Sequence, residues 1–251
     1  MKIEVLFPDL CNLYGDNGNV QYLAASLPEA EVVFTGNLET PRFTKEPVDL
    51  IYLGSMSEAG QELAIQRLLP HRQALRQYVE SGKVLLATGN ALELFGAYIQ
   101  DGTRKIPTLG LFPCHAVRDM ERRHNSMFLG TFGDMKIVGA RSQFSYSCGE
   151  VAHPFLQVTG GYGIDLKSKM EGIHYKNFFA TYLLGPFLVL NPRFTQYLLK
   201  LLGHEGRPAF WQEAMEAYEY RLKGLETPGV CFLVGCLLYT SPSPRDRTRS
   251  R

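Results

Sequence analysis

The stretch KVLLATGNALELFG, Lys83 to Gly96, decides how the rest of the chain is read. Val84 to Ala87 is a short apolar run of the kind that forms a parallel strand buried on both faces. Thr88, Gly89 and Asn90 make a tight turn, and Ala91 to Phe95 has the spacing and propensities of a helix start. Strand, sharp turn and helix together describe a nucleophile elbow, which holds one side chain exposed above a sheet. This turn carries neither Cys nor Ser. Its one hydroxyl is Thr88, a weak nucleophile unless a base activates it.

Upstream, the chain alternates strands and helices. Lys2 to Phe7 reads as a first strand, followed by CNLYGDNGNV, a Gly/Asn/Asp-rich loop that needs special backbone angles. Gln21 to Ser26 reads as a short helix, Glu31 to Thr35 as a second strand, and Val48 to Leu53 as a third ending at Gly54. Gln61 to Val79 is an amphipathic helix with Leu63, Leu68, Leu75 and Val79 on one face and a break or kink at Pro70. This order implies a parallel sheet covered by helices on both faces, with right-handed crossovers.

Beyond Gly96 the pattern shifts to short strand-like runs suited to antiparallel hairpins: Ile106–Pro113, Ser126–Phe132, Met135–Ala140, Phe155–Thr159 and His174–Leu183. Two further helices are predicted, at Phe194–Leu202 and Pro208–Lys223. No internal repeat or linker divides the chain. The segment Cys236 to Arg251 turns abruptly Ser/Pro/Arg-rich and resembles translated sequencing-library adaptor, so it is set aside as disordered read-through.

Composition narrows the function classes. With 251 residues the chain can bury one large α/β core. Its net charge of +1 argues against any general attraction to nucleic acid or anionic membrane. The five cysteines show no CxxC or CxxH spacing, so no zinc site, redox dithiol or cofactor is expected. No signal peptide or membrane-spanning run of about 18 apolar residues is visible, which makes the cytoplasm the expected compartment.

Two blocks point to a family. NLYGDNGN (Asn12–Asn19) and EGIHYKNFFATYLLGPFLVLNP (Glu171–Pro192) resemble motifs of the CobB/CobQ-like class I glutamine amidotransferases. Within that family they are most similar to the amidotransferase subunits of lipid II isoglutaminyl synthases, which work with a Mur-ligase-like subunit on peptidoglycan precursors. The likeness covers roughly residues 1 to 205, with 206 to 235 a helical extension. It implies a flavodoxin-like α/β fold, mainly parallel with antiparallel additions, and glutamine hydrolysis at a Cys–His pair that passes ammonia to a partner.

The resemblance also shows what is missing. Gly89 stands where the family has its cysteine, and Leu184 where TYLHGP has its histidine. GARSQ (Gly139–Gln143) replaces the family's G-[FY]-E-x-H, placing Arg141 and Gln143 at the acid and the histidine. In the oxyanion loop, GSMSEAGQ (Gly54–Gln61), Ser55 and Met56 replace glycines. Glycine cannot attack and leucine cannot accept a proton, so the chain reads as a degenerate amidotransferase with no catalytic residue retained and Thr88 as a weak substitute.

Candidate ligand-binding residues are Asn12, Asp16, Gly54, Ser55, Asn90 and Arg123. Arg123 matches a basic position resembling the family's clamp on the glutamine carboxylate, although RDMERRH is also an ordinary solvated charge run. Asp16 or Asn19 is alternatively a helix cap, and Glu93 either a pocket residue or a carboxylate favoured by a helix N-terminus. Cys11, Cys114 and Cys148 are candidate substitute nucleophiles, or buried structural cysteines. The expected partner is a Mur-ligase-like synthetase bound by a non-catalytic subunit. The alternatives are an active amidotransferase with altered chemistry, serving a cell-wall or cobyrinate substrate, and a glutamine-binding sensor.

Overall fold

The computed structural model describes residues 1–233; the adaptor-like segment 236–251 lies outside them. In chain order the strands are β1 (Lys2–Leu6), β2 (Glu31–Thr35), β3 (Leu50–Leu53), β4 (Val84–Thr88), β5 (Tyr98–Asp101), β6 (Arg104–Pro107), β7 (His115–Arg118), β8 (His124–Phe132), β9 (Met135–Gln143), β10 (Ser145–Cys148), β11 (Leu156–Gly160), β12 (Met170–Glu171), β13 (Ile173–Tyr175) and β14 (Phe178–Thr181). The α-helices are α1 (Asn17–Ser26), α2 (Glu58–Leu68), α3 (Arg72–Glu80), α4 (Phe187–Leu190), α5 (Pro192–Leu201) and α6 (Trp211–Leu225).

The central sheet has the order β13-β14-β4-β3-β1-β2. Its strands from β14 to β2 are parallel, and β13 pairs antiparallel with β14 at one edge. Alternate residues feed opposite faces. Ile51, Leu53, Leu85 and Ala87 pack against α2 and α3, whereas Leu50, Tyr52, Val84 and Leu86 join Val20, Leu23, Phe194 and Leu198 of α1 and α5. All nine residues of β3 and β4 are buried, as their apolar runs require.

Two four-stranded sheets, β10-β7-β5-β6 and β12-β11-β8-β9, add the antiparallel pairs, with β5 and β7 parallel within the first. The α6 helix packs its buried Tyr218 and Leu225 around Val138 of β9. No helix among the described residues is long and apolar enough to cross a membrane.

Several boundaries differ from the sequence reading. The predicted helix 61–79 breaks at Pro70 into α2, a 3-10 turn over Leu69–His71, and α3. Helix α1 begins inside the Gly/Asn-rich loop, at Asn17, whose N–H is held by Asn12 Oδ1 at 3.1 Å. The run 174–183 is a hairpin, turning at Lys176 with φ 53°. The elbow helix is a 3-10 helix, Gly89–Phe95.

Candidate functional site

The C-terminal ends of β1, β3, β4 and β14 converge where open α/β sheets carry ligands. Register places Thr181 beside Thr88 and Leu53 beside Ala87, so the segments after the three strands meet at the elbow. Gly89 adopts φ +62°, the left-handed conformation an elbow demands and that glycine tolerates best. A cleft of about 90 Å³ lies above it, lined among others by Tyr14, Ser55, Asn90, Arg123, Gln143 and Leu184.

Its floor is closed. A Cβ built on Gly89 would sit 2.5 Å from Ser55 Cβ and 2.8 Å from Leu184 Cδ2. Leu184 is buried and fixed by its own N–H donating to Ala140 O at 2.9 Å. Ser55 is held by its hydroxyl, which donates to Leu13 O at 3.0 Å. Gly89, Ser55 and Leu184, far apart in sequence, are thus direct neighbours. Neither Leu184 nor the amide of Gln143 offers a base.

Thr88 does not reach the cleft. It is fully buried, its hydroxyl donating to Asp16 Oδ2 at 2.8 Å and lying 3.0 Å from Tyr52 OH. A carboxylate beside a hydroxyl is a base–nucleophile arrangement, but this one sits within the sheet with no path to the cleft.

Asp16 is corrected for the same reason. Its carboxylate turns inward at zero exposure and accepts the Ser55 N–H at 2.6 Å as well as the Thr88 hydroxyl. Burial pushes its carboxyl above the ordinary range, against those hydrogen bonds. It makes no side-chain cap for α1. Asn19 instead donates to Tyr52 OH at 2.9 Å and accepts from Leu188 N–H at 2.8 Å, tying α1 to α4. Gly54 is also structural: a Cβ there would lie 3.3 Å from Asp16 Oδ2 and 3.1 Å from Cys11 O. The NLYGDNGN loop therefore joins the strand ends through its buried Asp16 and Asn19, with Asn12 as an exposed cap and Leu13 and Tyr14 lining the cleft.

Asn90 and Arg123 do reach the cleft. The Asn90 side chain clamps Met56 backbone, accepting from N–H at 3.0 Å and donating to C=O at 2.8 Å, which fixes the Gly54–Ser57 loop. Arg123 lies 4.1 Å above the Phe144 ring and donates from Nη1 to Tyr14 OH at 2.5 Å and Ser142 Oγ at 3.2 Å. Ser142 and Phe144 were missed by sequence reasoning; their signal is the alternation of β9, which runs into the GARSQ motif.

Glu93 is no helix-terminus surface carboxylate. It is buried behind the cleft, where Gln61 Nε2 (2.8 Å), Ser145 Oγ and Tyr182 OH (3.2 Å) donate to it. Burial raises its pKa. Gln61 in turn accepts from Arg118, which ion-pairs with Glu62 and Asp101. Arg141, wholly buried, stands 4.6 Å over the Tyr182 ring. Glu171, unremarked in the sequence, accepts from Tyr182 N–H at 2.7 Å and Thr181 Oγ1 at 2.8 Å, and burial pushes its carboxyl up to about 7.

None of the candidate cysteines lines the cleft. Cys11 is buried against Met56 Sδ at 3.9 Å, and burial drives its thiol far above the range of a reactive cysteine. Burial pushes Cys114 up to about 11. It borders a second, mostly apolar cavity of about 270 Å³ between α3 and β13 that shares no lining residue with the elbow cleft.

A profile of the CobB/CobQ-like glutamine amidotransferase domain matches residues 2–192. The chain belongs to that family. Among its relatives, the lipid II isoglutaminyl synthase (glutamine-hydrolyzing) subunit GatD of Staphylococcus aureus (strain N315) is 32% identical over 208 residues, covering 80% of this chain and 83% of the relative. The subunit of the same name from Streptococcus pneumoniae (strain ATCC BAA-255 / R6) is 27% identical over 202 residues, 76% of each. Solved structures agree in fold: a glutamine amidotransferase at TM-score 0.56 and 15% identity, covering 80% of this chain and 98% of that one, and PurLQS from Thermotoga maritima at 0.52 and 11%, covering 88% and 98%. The α/β amidotransferase fold is thus shared.

Proposed function

We propose that this family member is a non-catalytic amidotransferase-like subunit of a Mur-ligase-like synthetase that amidates a lipid II-type peptidoglycan precursor. The observation that carries the reading is the packing of Ser55 and Leu184 onto Gly89: the nucleophile position has no side chain, and the space one would need is filled. Support for the pathway comes from the two relatives, each named as one subunit of a lipid II isoglutaminyl synthase. The scaffold that presents the cleft is intact around a core without an attacking group or a base. Such a subunit contributes by binding and stabilising its synthetase, which takes ammonia from solution.

Altered chemistry finds no support in the geometry, since Thr88, Cys11 and Cys114 are all buried away from the cleft. The test is association. Co-expressed with a Mur-ligase-like synthetase, the tagged chain is expected to retain that protein through size exclusion at micromolar concentration. Separate elution of two folded proteins would overturn the partnership.

A further inference from the structure

The mostly apolar cavity of about 270 Å³ between α3 and β13 has no part in the function proposed above. Val79 of α3, Leu111 and Phe112 of the loop before β7, Val151 of the β10–β11 loop, and Ile173 and Tyr175 of β13 give it apolar walls. The Phe112 ring packs 4.8 Å from Phe178 and 6.3 Å from Tyr175 between centroids, which anchors two of those walls to the core. A preformed space of this size takes one ring or a chain of about six to eight carbons.

One side of the cavity is cationic. Arg72 and Arg76, one helical turn apart, both donate from Nη2 to the single carbonyl of Gly110, at 3.2 and 2.9 Å. Arg76 lines the cavity, and Leu111 continues from Gly110 into its wall. Two guanidinium groups at i and i+4 repel each other, and neither of these pairs with a carboxylate among the described residues. Glu80, one turn on from Arg76, is held instead by Lys176 Nζ at 2.6 Å and by Tyr175 OH at 3.3 Å. Glu150, the other carboxylate of the lining, is exposed, so water and salt screen it. A ligand with an anionic head relieves the repulsion between the arginines and gives both forks an acceptor.

We propose that this cavity binds an amphiphilic organic anion, its carboxylate or phosphate head on Arg72 and Arg76 and its apolar body of about six to eight carbons against Phe112, Val151 and Tyr175. The site stands apart from the non-catalytic reading, because it shares no lining residue with the elbow cleft. Leu111 and Phe112 donate their N–H groups to Phe95 O at 2.9 and 3.0 Å, and Ala97 N–H donates to Cys114 O at 2.7 Å. The cavity wall is thereby tied to the end of the elbow's 3-10 helix, and the Phe112 and Ala97 amides report an occupant.

The full chain would be titrated by NMR with butanoate, hexanoate, octanoate and hexyl phosphate, and with hexanol and inorganic phosphate as half-ligands. Saturable shifts at the Phe112 and Ala97 amides are expected for octanoate or hexyl phosphate at about 1 mM or below, with both half-ligands at least about tenfold weaker. Binding of one of the two anions alone supports the proposal and assigns the head. Each methylene added from butanoate to octanoate should tighten binding about two- to fourfold. The double variant Arg72→Gln, Arg76→Gln should weaken the anions by about tenfold or more and leave hexanol unchanged. Ala152→Trp, on an exposed stretch of the lining, should weaken anions and hexanol alike at the parent's melting temperature. No saturable shift in the folded chain would overturn the proposal. So would affinity independent of chain length, inorganic phosphate binding as tightly as hexyl phosphate, or anion binding that survives the loss of both arginines.

Discussion

An alanine at position 89 would bring its Cβ within 2.5 Å of Ser55 and 2.8 Å of Leu184, on a backbone at φ +62°. Overpacking of this kind costs about 1–3 kcal/mol, and the left-handed conformation adds about 1–2 kcal/mol. Gly89→Ala is therefore expected to lower stability by about 2–5 kcal/mol in urea denaturation. Most of the steric part should return when Ser55→Gly and Leu184→Ala are added, because contacting positions couple in a mutant cycle. Additive losses would show that the three positions are independent. Asp16 belongs at this scale as well. Asp16→Ala strands the Ser55 N–H and the Thr88 hydroxyl, costing about 2–4 kcal/mol, with synthetase binding unchanged. A variant of native stability that lost its partner would return Asp16 to the ligand-binding residues.

At the scale of elements, the β12 and β14 strands are joined by a carboxyl whose charge the fold resists. Burial pushes Glu171 up to about 7, while the Tyr182 N–H, the Thr181 hydroxyl and Arg141 pull the other way. An unfolded glutamate titrates near about 4.3. The folded form thus holds the proton that the unfolded form has released between those values. The resulting stability is fully present below the unfolded pKa and is lost as pH rises through about 7. Glu93 and Asp16 are shifted in the same direction by burial. Melting temperature is expected to fall between about pH 4.3 and pH 7, with the slope reduced in Glu171→Gln. A flat profile in the parent chain would contradict the assignment. The elements themselves were legible to different degrees. The buried runs of β1, β3 and β4 and the Pro70 break announce themselves by apolar continuity and by ring geometry. The four-residue strands YIQD, HAVR and SYSC of β5, β7 and β10 carry mixed polarity and exist only through non-local pairing, so no local pattern marks them. Asp16 read as a ligand-binding residue or helix cap for a related reason: its burial is created by closure of distant strand ends.

For the whole molecule, the proposed loss of chemistry turns on one place in an otherwise legible scaffold. The six-stranded sheet, its helices and the position of the elbow follow from patterns visible in the chain. That the cleft floor is closed by Ser55 and Leu184 together required coordinates, since positions 34 and 95 residues from Gly89 meet there only in the fold. The most direct test of the central claim is ammonia release from glutamine by the purified chain, alone and with the Mur-ligase-like synthetase proposed as its partner. We expect no release above a protein-free blank in either case, alongside synthetase activity sustained by added ammonium. Saturable, glutamine-dependent release by this chain would contradict it.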